Sequence, residues 1–245
     1  MSIYVIGDIH GALKALQEVL IKANYNPEED ELIFLGDYVD GWTESAELVD
    51  FLIKLKENNL PNKVTFIRGN HDNWCEDWLD RGWVPIIWQQ NGGQVTLDSY
   101  VRTALLVEQS HKDFFHNLID YHIDDDNNLF IHGGWAYRED EFPVSALYPN
   151  NAGTNAKECH WDRSLIAGVK SAHATNTQFN ATKPFNKVFI GHTANASFLP
   201  EKYCNLWNID SGGGWSGKLT IMNIDTEEYY QSDFVKNLYP NEKGR

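Results

Sequence analysis

The sequence predicts a mixed α/β fold whose functional groups gather at the carboxyl ends of its strands. Short apolar runs of strand length recur, and several stop at Gly followed by Asp, Asn or His. Stretches of helical periodicity separate the first three runs, which gives a βαβαβ reading with parallel, buried strands. With 245 residues, 42% of them hydrophobic and 13% aromatic, the chain can bury one large core. No Pro/Ser/Gly-rich linker or charge block divides it, so it reads as a single domain over residues 1–245.

Residues 3–6 run into Gly7-Asp8-Ile9-His10-Gly11, and Leu13, Leu16, Val19, Leu20 and Ala23 then recur at helical spacing. Residues 32–35 run into Gly36-Asp37-Tyr38-Val39-Asp40-Gly41, followed by Thr43 and Glu44 opening a second helical stretch with Leu48, Leu52 and Leu55. Residues 64–67 lead to Arg68-Gly69-Asn70-His71-Asp72. From 73 to 121, a stretch with Trp74, Trp78, Trp83 and Trp88, the chain reads as mostly helical and is expected to cover the site. Residues 129–131 meet His132-Gly133-Gly134, and 188–190 meet Gly191-His192-Thr193. After 205–209 and Asp210-Ser211-Gly212-Gly213-Gly214, residues 218–224 and 228–231 read as antiparallel strands closing a second sheet. In open α/β sheets ligands sit beyond the carboxyl ends of the strands, where each of these polar clusters falls.

Charge narrows the function classes. The chain has 35 Asp+Glu against 20 Lys+Arg and a formal net charge of −15, which repels phosphate backbones and anionic membranes. General nucleic-acid binding is excluded on that ground. No apolar run approaches the roughly 20 residues of a membrane span, and the opening residues lack a basic n-region, so a cytoplasmic location is expected. Cys75, Cys159 and Cys204, odd in number and widely spaced, read as reduced thiols.

The nine histidines organise the chemistry. A two-metal phosphoesterase needs a bridging carboxylate and further N/O ligands that leave positions open. Asp8 and His10 can serve one metal, Asp37 is the natural bridge, and Asn70, His132 and His192 complete the second. Imidazole, carboxylate and amide oxygen without thiolate suit manganese first, with Fe, Zn and Ni as alternatives. The expected nucleophile is a metal-bridging hydroxide. His71 is placed to protonate the leaving group as general acid, with Asp40 holding its imidazolium. Arg68 and Arg163, together with Asn70, are candidates to bind the substrate phosphate. His111, His116, His122, His160 and His173 are assigned to surface or local structure.

Asp8-Ile9-His10-Gly11, Gly36-Asp37-Tyr38-Val39-Asp40 and Arg68-Gly69-Asn70-His71-Asp72, followed by His132-Gly133 and Gly191-His192, resemble the signature blocks of calcineurin-like metallophosphoesterases. Among these they look like the phosphoprotein phosphatase branch of bacteria and phages, which also holds the symmetrical dinucleoside-tetraphosphate hydrolases. The resemblance implies a β-sandwich of mixed sheets flanked by helices, with the same metal set and the same His71–Asp40 acid pair. It also makes Trp161-Asp162-Arg163 the segment delivering a phosphate-contacting arginine. One departure stands out: the family's Gly-Asp-x-Val-Asp-Arg-Gly is here Gly-Asp-Tyr-Val-Asp-Gly41-Trp42, so an arginine is missing.

The leading expectation is a Ser/Thr protein phosphatase-like phosphomonoesterase acting on a phosphoprotein or a phosphorylated small molecule. The alternative keeps the site and takes a dinucleoside tetraphosphate. A third reading, a non-catalytic metal-binding module, rests only on the missing arginine, since no ligand position is lost.

Overall fold

The computed structural model describes residues 1–105, 108–135 and 159–245. In chain order its first half holds β1 (Ile3–Ile6), α1 (Leu13–Lys22), β2 (Glu31–Phe34), α2 (Ser45–Glu57), β3 (Val64–Phe66), α3 (Asn70–Arg81), α4 (Ile86–Trp88), a π-helical turn (Gln89–Gly93), α5 (Gln94–Thr103) and α6 (Gln109–His116). There follow β4 (Tyr121–Ile123), β5 (Leu129–Ile131), α7 (Ser164–Thr175), β6 (Val188–Ile190), β7 (Glu201–Tyr203), β8 (Leu206–Asn208), β9 (Thr220–Asn223), β10 (Tyr229–Gln231) and α8 (Val235–Leu238).

The expected βαβαβ unit is present: β1 pairs in parallel with β2, and β2 in parallel with β3. The remaining edge of β1 needs a partner, and the β9–β10 hairpin supplies it by antiparallel pairing, giving the order β10-β9-β1-β2-β3. This corrects the expectation that the hairpin closes a second sheet. The physical reason is that Met222 and Ile224 turn to the same buried layer as Val5 and Ile33, so the hairpin extends the face that β1 already buries. The second sheet has the order β4-β5-β6-β8-β7, parallel at its centre and antiparallel at both edges.

Side-chain alternation builds three apolar layers. Val5, Ile33, Phe130, Phe189, Trp207 and Met222 meet between the sheets, where the rings of Phe130 and Phe189 stack 5.0 Å apart. Alternate residues Ile6, Leu32 and Phe34 face the helices of the first half, and Leu129, Ile131, Val188 and Ile190 face α7. The result is the predicted sandwich of two mixed sheets flanked by helices. The stretch from 73 to 121 is helical as expected, with Leu106 and Val107 outside the described residues. Among the described residues no helix is long and apolar enough to cross a membrane.

Candidate metal centre

The strands that end at polar clusters all deliver them to one place, and the backbone turns sharply there. His10, Asp37, Asp40 and His192 hold φ of 51°, 54°, 70° and 64°, the left-handed region that most side chains avoid. Two glycines make room for the carboxylates. A Cβ at Gly69 would stand 2.1 Å from Oδ1 of Asp37, and one at Gly191 would stand 2.1 Å from Oδ1 of Asp8.

Two overlapping groups of candidate ligand atoms result, Asp8–His10–Asp37 and Asp37–His132–His192, each with all its atoms within 4.8 Å of one another. Asp37 is common to both: its Oδ2 lies 3.5 Å from Nε2 of His10 and 3.4 Å from Nε2 of His132. Asn70 joins the second group with Oδ1 3.2 Å from Nε2 of His132. All six expected ligand residues are therefore brought together, every one of them buried.

Ring orientation is fixed from outside the cluster. Nδ1–H of His10 donates to the carbonyl of Val39 at 2.9 Å, and Nδ1–H of His132 donates to that of Leu35 at 2.7 Å, which turns both Nε2 atoms toward the cluster. Among the described residues the buried Nε2 of His192 has no hydrogen-bond partner. A buried acceptor without a partner, facing a shared carboxylate, is what a ligand nitrogen awaiting a cation looks like. Asp72 accepts N–H bonds from Asp37, Tyr38 and Gly69 at 2.8–2.9 Å and so both caps α3 and fixes the loop that carries Asp37.

The electrostatics point the same way. Burial, reinforced by Asp210 nearby, pushes the Asp8 carboxyl well above its ordinary range, and burial lifts Asp72 to about 7 and Asp210 to about 6. Burial lowers His192 to about 3. For His132 burial also opposes the charge, but Asp37 and Asp8 outweigh it and raise the imidazole to about 10. So many crowded carboxylates need cations, and a divalent ion must displace the proton that His132 holds at neutral pH. Metal uptake is accordingly expected to release protons. Since His132 is protonated below about 10, the apparent affinity for Mn rises with pH between 6 and 9, by up to about tenfold per unit for each proton displaced. Calorimetric titrations at three pH values in buffers of different ionisation enthalpy check this, and a pH-independent affinity would contradict it.

His71 stands beside the carboxylates on the first turn of α3. Its backbone N–H donates to Oδ1 of Asp37 at 2.9 Å, and Nδ1–H donates to Oδ2 of Asp40 at 2.6 Å. Asp40 is completely buried and further held by the indole N–H of Trp88 (2.7 Å) and the hydroxyl of Thr96 (2.6 Å). The tryptophan-rich stretch, expected to cover the site, thus also supports it from behind. Trp88→Phe keeps the ring and removes the donor to a buried carboxylate, a loss of about 1–3 kcal/mol. Thermal unfolding is expected to shift down by about 2–4 °C per kcal/mol at this size.

The two expected phosphate arginines separate. The guanidinium of Arg163 reaches the carbonyl of His192 at 3.4 Å, at the rim of the site. That of Arg68 is tied to Glu76 and donates to the carbonyl of Phe115 at 2.6 Å, a structural clamp between α3 and α6 in place of the expected phosphate contact. Its backbone N–H donates to the carbonyl of Ile119 at 2.8 Å, just ahead of β4. His160, assigned to local structure, links Asn73 and Asp120. Two residues at the cluster were not expected there. Asp210 is buried beside it, and Nη1 of Arg245 donates to Nε2 of His10 at 3.0 Å. The Asp-Ser-Gly turn after β8 carried a signal for the first, whereas nothing local marks the second.

A sequence model of calcineurin-like phosphoesterases (Metallophos) matches residues 1–195. A symmetrical bis(5'-nucleosyl)-tetraphosphatase of Pseudomonas syringae pv. syringae (strain B728a) is 36% identical, over 94% of this chain and 91% of that protein. The protein of the same name from Marinomonas sp. (strain MWYL1) is 42% identical over 72 residues, 29% of this chain and 24% of its own length. Among solved structures, a cold-active protein-tyrosine phosphatase of a psychrophilic Shewanella sp. superposes with a TM-score of 0.58 at 17% identity, covering 95% of this chain and 80% of that one. That last likeness is one of fold.

Proposed function

The chain belongs to the calcineurin-like phosphoesterases and is a phosphoester hydrolase, and from that premise we propose that it cleaves dinucleoside tetraphosphates symmetrically. The single observation behind this choice is the relative named for that reaction, 36% identical across almost the whole of both chains. It moves the balance away from the phosphoprotein substrate that the sequence puts first.

In this reading Asp8, His10 and Asp37 hold one divalent cation and Asp37, Asn70, His132 and His192 a second, with manganese as the metal. The two cations supply Lewis acidity toward water and the phosphoryl oxygens when bound. The residues do the rest. Arg163, with Asn70, binds the phosphoryl group. His71 stands ready with Nε2 to give a proton to the departing oxygen, while Asp40 fixes its ring through Nδ1. Net, one water adds across a P–O–P bridge: a new P–O bond forms, the bridge opens, and two nucleoside diphosphates leave. The exposed rings of Trp161, edge-on to Trp74 and beside His192, and of Trp215, 48% exposed beside the Arg245 guanidinium, offer faces on which bases can stack.

The test is a side-by-side assay of the Mn-loaded protein on diadenosine tetraphosphate and on a phosphoserine peptide. The expected products are two ADP from the first substrate and slow turnover of the second. Preference for the peptide would restore the phosphomonoesterase reading, and turnover of neither with metal bound would favour a non-catalytic module.

A further inference from the structure

The arginine missing at position 41 leaves the site short of one cation, and another part of the chain brings one in. Arg245 lies 204 residues further on (245 − 41). Its Nη1–H donates to Nε2 of His10 at 3.0 Å, and its guanidinium lies over the ring of Trp215, 5.1 Å from the centroid. Its backbone N–H donates to the carbonyl of Gly214 at 2.9 Å. Among the described residues the guanidinium makes no close ion pair, Asp210 attracting it only at longer range, and its buried Nε has no hydrogen-bond partner. A guanidinium held beside a phosphoesterase site with donors to spare is poised for an anion.

The surroundings are shaped for this placement. Position 41 has φ +126°, which strains any residue with a side chain, and a Cβ there would crowd the Gly214 carbonyl and Cβ of His10 at 3.2 Å, so this backbone disfavours an arginine at that point. Gly92 faces it, with a built Cβ only 3.2 Å from Cγ of Arg245. Trp42, the second residue of the departure, carries the segment that ends in Arg245: its ring stacks on Tyr239 at 5.2 Å, and its indole N–H donates to Gly213 at 2.7 Å. Gly244 packs on it so closely that a Cβ would fall 2.9 Å from Cζ2. Glu242 accepts both the N–H (3.1 Å) and the hydroxyl (2.8 Å) of Thr43. Residues 41–43 thus form the dock on which residues 239–245 lie.

We propose that Arg245 is a phosphate-binding residue of the active site, supplying from residues 239–245 the guanidinium that Gly41 cannot. The inference rests on the phosphoester reading of the site and not on which phosphoester is cleaved. When a cation takes the Nε2 lone pair of His10, the guanidinium gives up that hydrogen bond and its donors turn to the phosphoryl oxygens, with Trp215 still behind it.

The experiment reads binding, separately from turnover: isothermal titration of inorganic phosphate into the Mn-loaded full chain. For Arg245→Ala the phosphate Kd is expected to rise tenfold or more with two Mn still bound at equal or tighter affinity, and Arg245→Lys should fall between. Gly244→Ala keeps the charge but displaces the backbone, and should copy Arg245→Ala. In turnover, millimolar guanidinium should restore part of the activity lost in Arg245→Ala and none in Gly244→Ala. An unchanged phosphate Kd in Arg245→Ala overturns the proposal. So does tighter Mn binding with phosphate affinity unaltered, which would make Arg245 only an occupant of the empty cation position. No phosphate binding by the unaltered protein overturns it too. Arg245-dependent phosphate binding without cleavage of diadenosine tetraphosphate leaves it standing while refuting the substrate reading.

Discussion

His71→Asn is expected to lower kcat by about 10²–10⁴-fold while both cations stay bound. The asparagine keeps a backbone N–H for Oδ1 of Asp37 but brings no proton to a departing oxygen. The size of the loss depends on what departs. A nucleoside diphosphate leaves as a phosphate oxygen whose conjugate acid titrates around 6, whereas a serine alkoxide approaches the basicity of hydroxide, with water at about 15.7. The penalty should therefore lie near the lower end for diadenosine tetraphosphate and near the upper end for a phosphoserine peptide. Rates on both substrates, with metal content measured on the same samples, check it. Equal rates for the variant and the parent would remove His71 from the chemistry, and loss of metal would recast it as a structural support.

Asp37→Asn should have a larger effect still. One oxygen of Asp37 accepts the His71 N–H, and the other faces the imidazoles of both His10 and His132. An amide in its place offers one oxygen and presents N–H groups to whatever the other side holds. Losing an outer partner of a metal ligand costs about 10–100-fold in affinity. Loss of the shared ligand should exceed that, dropping stoichiometry from two Mn to one or none and turnover below detection. Stability of the metal-free protein should fall as well. His132 would lose the counter-charge that raises its imidazole to about 10, and with it a stabilisation that is present in full below about pH 6.5 and fades toward pH 10, so the variant should melt below the parent at low pH and approach it at high pH. Elemental analysis and pH-dependent melting of the metal-free protein test both parts.

Much of the centre was legible because each element announces itself locally. Ile6, Phe34, Phe66, Ile131 and Ile190 close apolar runs, and the residue types that follow each run are those that hold cations. Six side chains from five separate places could be grouped without coordinates because parallel strands all end on the same side. Contacts that depend on distant pairing left no such trace. Trp88 and Thr96 reach Asp40 across 48 and 56 residues, and in sequence they look like one more aromatic and one more helix residue. Arg68 shares its loop with Asn70 and His71, yet its guanidinium swings to Glu76, a choice made by the packing of α3 against α6. The hairpin of β9 and β10 was recognised as antiparallel, but its sheet was decided by the bare edge of β1, which belongs to the first residues of the chain.

The left-handed backbone at His10, Asp37, Asp40 and His192 also bears on how such a protein ages in evolution. Each non-glycine residue held there costs of order 1 kcal/mol against a glycine, less for the aspartates. Selection for turnover keeps them in place. A descendant freed from that selection has least to lose at His192, whose buried Nε2 has no partner among the described residues, whereas at Asp40 a glycine would strand the donors of Trp88 and Thr96 and outweigh the strain relieved. His192 is thus the position at which loss of the metal centre and gain of folding stability would coincide.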